Sequence, residues 1–305
     1  MQADHTPPAT PGRLFVFGLG YTALALARDL LAEGWTVAGT CRGEDKCAAL
    51  AAEGIAAFVF DRDRPLDDCV AALAGTTHLL ASVPPDAAGD LVIDRHGDDL
   101  QRLAPTALTR LGWIGYLSTT GVYGDCGGAW VDEEAPLQPT SPRAAARVAA
   151  ERDWLELGRG LGAGVQIFRL AGIYGPGRGA LEAVRAGEAR RIVKPGQVFG
   201  RIHVDDIVAV LRASLARPRA GALYNGCDDE PAPPQDVIAF ACALLGVPAP
   251  PEEDYAHVSA TLSAMARSFY ADNKRVSNQR LKEELGVELR YPDYRAGLRA
   301  LATEG

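Results

Sequence analysis

The chain has 305 residues, with 31 lysines and arginines against 39 aspartates and glutamates, a net charge of −8. Hydrophobic residues make up 48% and charged residues 23%, which excludes disorder as the main state and suggests two modest domains or one large one. An acidic chain repels phosphate backbones, so general nucleic-acid binding is excluded as a first reading.

Residues 1–12 carry three prolines and small polar residues and are expected to form a disordered tail without a secretory signal. Leu14 to Ala27 is a run of 14 uncharged residues, short of the ~18 that a membrane helix needs and broken by glycines. No membrane partner is expected. Arg13 to Phe17 reads as a strand, the helical pattern of ALALARDLLAEG closes on Gly34, and Trp35 to Thr40 reads as the next strand. Helices are expected over 45–53, 67–74, 98–111 and 142–158, and strands over 56–60, 78–83, 113–118 and 165–170. This alternation predicts an α/β fold, a Rossmann-type doubly wound parallel sheet. Beyond Gly172 the periodicity weakens, with proline-rich joints at 231–234 and 248–251, and a smaller irregular C-terminal substrate lobe is expected. The expected division is a dinucleotide-binding domain from 13–172 plus 201–228, and a lobe from 173–200 plus 229–305. Cys41, Cys47, Cys69, Cys126, Cys227 and Cys242 form no CxxC pair. That spacing predicts neither a zinc site nor a disulfide framework, and a reducing cytoplasm is the expected location.

Gly18-Leu19-Gly20-Tyr21-Thr22-Ala23 joins the first strand to the first helix in the pattern G-x-G-x-x-A. Gly18 permits the tight turn, Gly20 lets the backbone approach a pyrophosphate, and Ala23 permits close helix–strand packing. Leu19, Tyr21 and Thr22 complete this candidate cofactor-binding turn. Thr40 and Arg42 stand at the end of the second strand, where an acid would select NAD. A hydroxyl and a guanidinium suit a 2′-phosphate, so NADP is expected over NAD. Asp61, Ser82 and Val83, at the ends of the third and fourth strands, are further candidates for the cofactor.

Several further segments carry a family resemblance. They are the opening GLGYTA, then LSTTGVYG at 117–124, TSP at 140–142, RLAGIYGPG at 169–177 and RIHVDD at 201–206. In this order they resemble the extended short-chain dehydrogenase/reductase superfamily, also called the NAD-dependent epimerase/dehydratase family. The resemblance implies an NAD(P)-linked oxidoreductase or epimerase with a catalytic Ser or Thr, matched by Thr119, and a Tyr-x-x-x-Lys pair. Where the pair belongs stand Arg143 and Arg147. Arg147 could keep the ribose-binding role, but a guanidinium at 143 cannot act as acid or base. Tyr123 is therefore the candidate proton donor. Thr120 and Gly121 stand where the family's dehydratases carry an Asp–Glu pair, which argues against dehydration. The alternative is a catalytically inactive NADP-dependent sensor or interaction protein.

Between 185 and 201 lie Arg185, Arg190, Arg191, Lys194 and Arg201 against a single acid, Glu188. By resemblance this region holds the diphosphate of a sugar-nucleotide substrate. Tyr123, Arg143, Arg178, Lys194, Arg201 and His203 are the candidate substrate-binding residues, for a polar, anionic or sugar-nucleotide-like small molecule. His203 to Asp206 is expected to return the chain to the main lobe, with Asp205 or Asp206 capping a helix over 207–216. No metal site is expected. The stretch 267–285 is assigned to packing or surface, and a homodimer is left open.

Overall fold

A computed structural model describes residues 11–304. Most of the expected tail lies outside the described residues; Gly12 is already tied in, its carbonyl accepting from the Thr36 amide at 3.0 Å. In chain order the first half holds β1 (Arg13–Phe17), α1 (Tyr21–Ala32), β2 (Thr36–Cys41), α2 (Glu44–Ala52), β3 (Ala56–Val59), α3 (Cys69–Leu73), β4 (His78–Ala81), α4 (Leu91–Leu103), β5 (Trp113–Thr119), β6 (Trp130–Val131) and α5 (Pro142–Leu161). The second half holds β7 (Gly164–Leu170), β8 (Gly172–Tyr174), α6 (Ala180–Arg185), β9 (Arg191–Val193), β10 (Arg201–His203), α7 (Val204–Ala216), β11 (Leu223–Gly226), α8 (Pro234–Leu244), β12 (Glu252–Asp254), α9 (Tyr255–Val258), α10 (Ala264–Ala271), β13 (Arg275–Val276), α11 (Gln279–Leu285) and α12 (Tyr294–Glu304).

Two compact units share the chain. Unit 1 takes Met1–Ser118, Ala146–Arg169 and Val208–Tyr224; unit 2 takes Thr119–Ala145, Leu170–Ile207 and Asn225–Gly305. Unit 1 is built on a seven-stranded sheet in the order β11-β7-β5-β4-β1-β2-β3. β1 pairs in parallel with β2 on one side and β4 on the other, so the strand order reverses beside β1. Such a reversal opens a crevice at the carboxyl ends of the strands, where open α/β sheets bind ligands. The strands are short and apolar because both faces are covered: Phe15, Phe17, Leu79, Ile114 and Ile167 are at most 1% exposed.

Two expectations for unit 1 are corrected. The helix expected over 98–111 is α4, which begins at Leu91. Asp90 caps it by accepting from the Val92 and Ile93 amides, and its other carboxylate oxygen accepts from Trp154 Nε1 at 3.0 Å. That cap competes with the sequence pattern further along and wins, because it satisfies helix amides in a buried place. The second correction concerns the cysteines. Cys41 and Cys47 form a disulfide across six residues. β2 ends at Cys41 and α2 starts three residues later, and that turn brings the two Cα atoms to 6.2 Å, within bridging range.

In unit 2, α6, α8 and α12 close on a core of Tyr174, Leu181, Val237, Tyr294 and Leu298. β8 and β10 pair in parallel, with Gly172 opposite Arg201 and Tyr174 opposite His203. That pairing keeps His203–Asp206 in unit 2, where a return to the main lobe was expected. The helix that follows starts at Val204, so Asp205 and Asp206 lie in its first turn. Neither is the cap: the His203 Nδ1 accepts from the Asp205 amide at 3.2 Å. Asp206 accepts from the Arg290 and Tyr291 amides and so fastens the C-terminal segment.

Candidate functional site

The turn after β1 has the geometry its glycines imply. Gly18 has φ +89°, and a Cβ there would meet Val83 Cγ2 at 2.8 Å. Gly20 stands before α1, and a Cβ there would meet only the Gly18 carbonyl oxygen, at 3.9 Å. The space over Gly20 is therefore open on the side where a pyrophosphate would approach the start of α1. Ala23 is fully buried, as close packing requires. The turn is braced from outside: the Leu19 amide donates to the Thr40 carbonyl at 2.8 Å and the Lys46 ammonium to the Leu19 carbonyl at 2.7 Å. Tyr21 and Thr22 open α1, and Ser82 is held by its amide to the Phe17 carbonyl.

Thr40 and Arg42 take different roles. Thr40 is 1% exposed and its hydroxyl accepts from the Gly18 amide at 2.8 Å, so it braces the turn. A 2′-phosphate would not reach it, and that part of the expectation is corrected. Arg42 is exposed at the end of β2, and its carbonyl accepts from Arg64. Asp61 is tied by both its oxygens to Arg64 and to the amides of residues 63 and 64, and this pairing holds its carboxyl below the usual range. The end of β2 thus presents Arg42, with Lys46 and Arg64 nearby in sequence and bonding. Lys46 is a residue the sequence reading passed over, since nothing in its neighbourhood pattern marks a lysine that reaches back to a turn 27 positions earlier.

The residues at the catalytic positions divide sharply. Thr119 Oγ1 accepts from the Gly121 amide at 3.1 Å, and Thr119 lines a cavity in unit 2. Tyr123 is fully buried, and its hydroxyl donates to Asn225 Oδ1 at 2.7 Å. It is a packed aromatic, and neither the proton-donor nor the substrate-contact reading fits that place. Arg143 is exposed and contacts the Met265 sulfur. In unit 1, Arg147 Nη1 donates to the Leu117 carbonyl at 2.6 Å and the Tyr116 hydroxyl at 3.1 Å, which fixes the end of β5. Sequence reasoning missed the network below it. Ser118 donates to Glu151, and Glu151 pairs with Arg169 at 2.8 Å, with both side chains only 4% exposed.

The unit 2 cavity has a volume of about 570 Å³. Thr119, Thr120, Tyr174, Arg201, Phe269 and Tyr294 are among its lining residues. Of the five basic residues between 185 and 201, only Arg190 and Arg201 reach it. Arg185 pairs with Glu182, Arg190 with both oxygens of Glu253, and Arg191 with Glu252. Lys194 donates to the Tyr270 carbonyl and lies over the Tyr255 ring. The partners Glu252, Glu253 and Tyr270 come from distant sequence, so the excess of charge seen along the chain is largely neutralised in space. Arg178 is exposed beside the Gly175 turn. His203 is 1% exposed, between the rings of Tyr174 and Tyr291, and is a packing residue. Neither lines the cavity.

One other cluster could hold a metal among the described residues: Cys69, His96 and Asp99 in unit 1. His96 Nε2 already accepts from the Leu66 amide, and Nδ1 pairs with Asp99 at 2.8 Å. Burial pushes the Cys69 thiol up to about 12, which keeps it protonated. A metal would have to displace all three arrangements.

The sequence matches the NAD dependent epimerase/dehydratase family over residues 15–226. The chain belongs to that family. Protein YeeZ of Escherichia coli K12 is 29% identical, over 92% of this chain and 97% of its own. A functionally unknown conserved protein from Silicibacter pomeroyi has a similar structure, with a TM-score of 0.85, 51% identity and coverage of 96% and 99%. The human epimerase family protein SDR39U1, solved with NADPH, superposes at a TM-score of 0.70 with 20% identity, over 95% of this chain and 99% of its own. The last comparison shows the shared fold.

Proposed function

We propose that this protein is an oxidoreductase or epimerase that uses a nicotinamide dinucleotide, prefers NADP, and acts on a small molecule bearing an anionic group. The observation that carries the reading is the open turn over Gly20 beside an exposed Arg42, with Asp61 after β3 engaged by Arg64. Gly18, Gly20 and the start of α1 would hold the pyrophosphate, and Arg42 the 2′-phosphate. When bound, the nicotinamide would supply hydride exchange. The Thr119 hydroxyl already accepts one bond from Gly121, which leaves its proton to donate to a substrate oxygen. The family's Tyr and Lys are absent, so Thr119 orients the substrate without a neighbouring phenol. The solved NADPH complex of the human relative supports the choice of cofactor class.

A second reading, a cofactor-binding sensor without turnover, draws on the exposed Arg143 and the structural tie of Arg147. Calorimetric titration with NADPH and NADH tests the first step. NADPH should bind more tightly, Arg42→Ala should remove the difference, and Gly20→Val should abolish both affinities. Equal curves for the two cofactors in the wild-type protein would overturn the preference. Nicotinamide absorbance, followed during a carbonyl and alcohol screen, separates enzyme from sensor: Thr119→Val should stop turnover and spare NADPH binding.

A further inference from the structure

We infer that the unit 2 cavity takes a substrate with a substantial apolar body and a single carboxylate-type anionic group, and that a nucleoside diphosphate sugar is not its occupant. This rests on the preceding reading that a small molecule is bound there, and it names the class of that molecule.

Charge is the first argument. A diphosphate carries at least two negative charges and needs several free cations or amides to replace its water. Around this cavity the cations are already engaged. Arg190 holds both oxygens of Glu253, and Lys274 donates to the Gly124 carbonyl and lies 3.3 Å from Asp272. Arg201 differs. Among the described residues it has no acid within salt-bridge distance, and only its Nη1 is hydrogen-bonded, to the carbonyls of Phe199 and Ala232. Asp228 acts on it electrostatically, and burial pushes that carboxyl up to about 8 against the Arg201 charge. A carboxyl at that value is mostly protonated at neutral pH, so the guanidinium keeps a net charge for one anionic ligand group.

The walls supply the second argument. α6 contributes Ala180 and Ala183, α8 contributes Val237 and Ile238, and α12 contributes Leu298. None of these offers a hydrogen bond to sugar hydroxyls, and each buried hydroxyl left without a partner is costly. Phe269 of α10 also lines the cavity while 59% exposed, so a ligand's apolar body would cover a ring that now meets water. The polar side chains that remain are Arg201, Thr119, Thr120, Ser268 and the phenols of Tyr174, Tyr270 and Tyr294, the buried Tyr174 hydroxyl having no hydrogen-bond partner among the described residues. A mostly apolar pocket with a few placed polar groups is the usual form of a site for a small amphipathic molecule.

The test uses the full chain, with and without saturating NADPH, and calorimetric titration of straight-chain monocarboxylates from butanoate to dodecanoate, the matching primary alcohols, and UDP-glucose. Affinity should rise about fourfold per methylene until the cavity is filled. Each alcohol should bind at least tenfold more weakly than its acid. Arg201→Gln should remove the acid–alcohol difference while leaving the dependence on chain length. Phe269→Ala, at an exposed position, should flatten that dependence. A flat series, no carboxylate binding, or UDP-glucose binding more tightly than every carboxylate would overturn the inference, and the wild-type titrations alone decide this. The NADPH titration is separate. Its failure would sink the dinucleotide reading while the carboxylate series still judged the cavity.

Discussion

At the residue scale, burial decides what each polar group can do. Glu151 and Arg169 are both 3% exposed and face each other through two hydrogen-bonding nitrogens of the guanidinium. Their role is to fix the ends of strands, since Ser118 at the end of β5 donates to the same carboxylate. Removing one partner leaves a buried charge uncompensated. Arg169→Met should therefore cost about 3–5 kcal/mol in urea unfolding. The double change with Glu151→Leu should recover much of that loss; a double variant no more stable than the single would refute the pairing. His78 in β4 behaves in another way. Burial pulls its imidazole from 6.5 down to about 4, so the folded state holds it neutral. The unfolded chain takes up that proton first as pH falls, so this contribution to stability is full above pH 6.5 and is lost towards pH 4. Denaturation midpoints measured from pH 7 to 4 should drop, and His78→Gln should lessen the slope. The pairing of Glu151 with Arg169 is not legible in the sequence, because the two partners lie 18 positions apart on a helix and a strand.

At the element scale, helices and strands set out most of the candidate cofactor site. The strand–turn–helix from Arg13 to Ala32 is legible because a short apolar run, two glycines and a 3.6-residue pattern follow one another. The start of α4 is not legible in that way. The pattern over 98–111 looks helical, yet the Asp90 side chain and the Trp154 indole fix the start at Leu91, seven residues earlier. The Cys41–Cys47 bridge is likewise an element-level fact, because it depends on how β2 turns into α2. It closes a short loop beside Arg42. Adding reductant should lower unfolding free energy by about 2 kcal/mol, and Cys41→Ser should remove that dependence. Unchanged stability with and without reductant would show that the bridge contributes nothing.

At the scale of the whole molecule, charge is arranged in space more evenly than along the chain. The run from 185 to 201 is basic in sequence, yet glutamates 182, 252 and 253 answer it. The −8 net charge would by itself repel a dinucleotide, so the proposed binding would rest on local groups such as the amides after Gly20 and the exposed Arg42. Exposed charges are screened by salt. Raising sodium chloride should weaken NADPH more than NADH, because in the proposed reading the extra phosphate would meet an exposed guanidinium. Parallel losses for the two cofactors would place the discrimination elsewhere.

The sequence alone determined the family, the parallel sheet and the glycine turn, because these rest on local periodicity and on residues whose backbone freedom is needed where they stand. It also placed Arg143 and Arg147, by resemblance, where the family's pair is expected. Only the tertiary structure decided which polar residues are available. Thr119 and Arg201 reach the cavity, while Tyr123, His203 and Lys194 are held by packing or by carbonyls. The helix α10, assigned in sequence to packing or surface, lines the cavity with Phe269 and Tyr270. The reason is physical: a side chain's charge and hydrogen-bonding capacity are local properties, but its availability depends on partners brought from far along the chain.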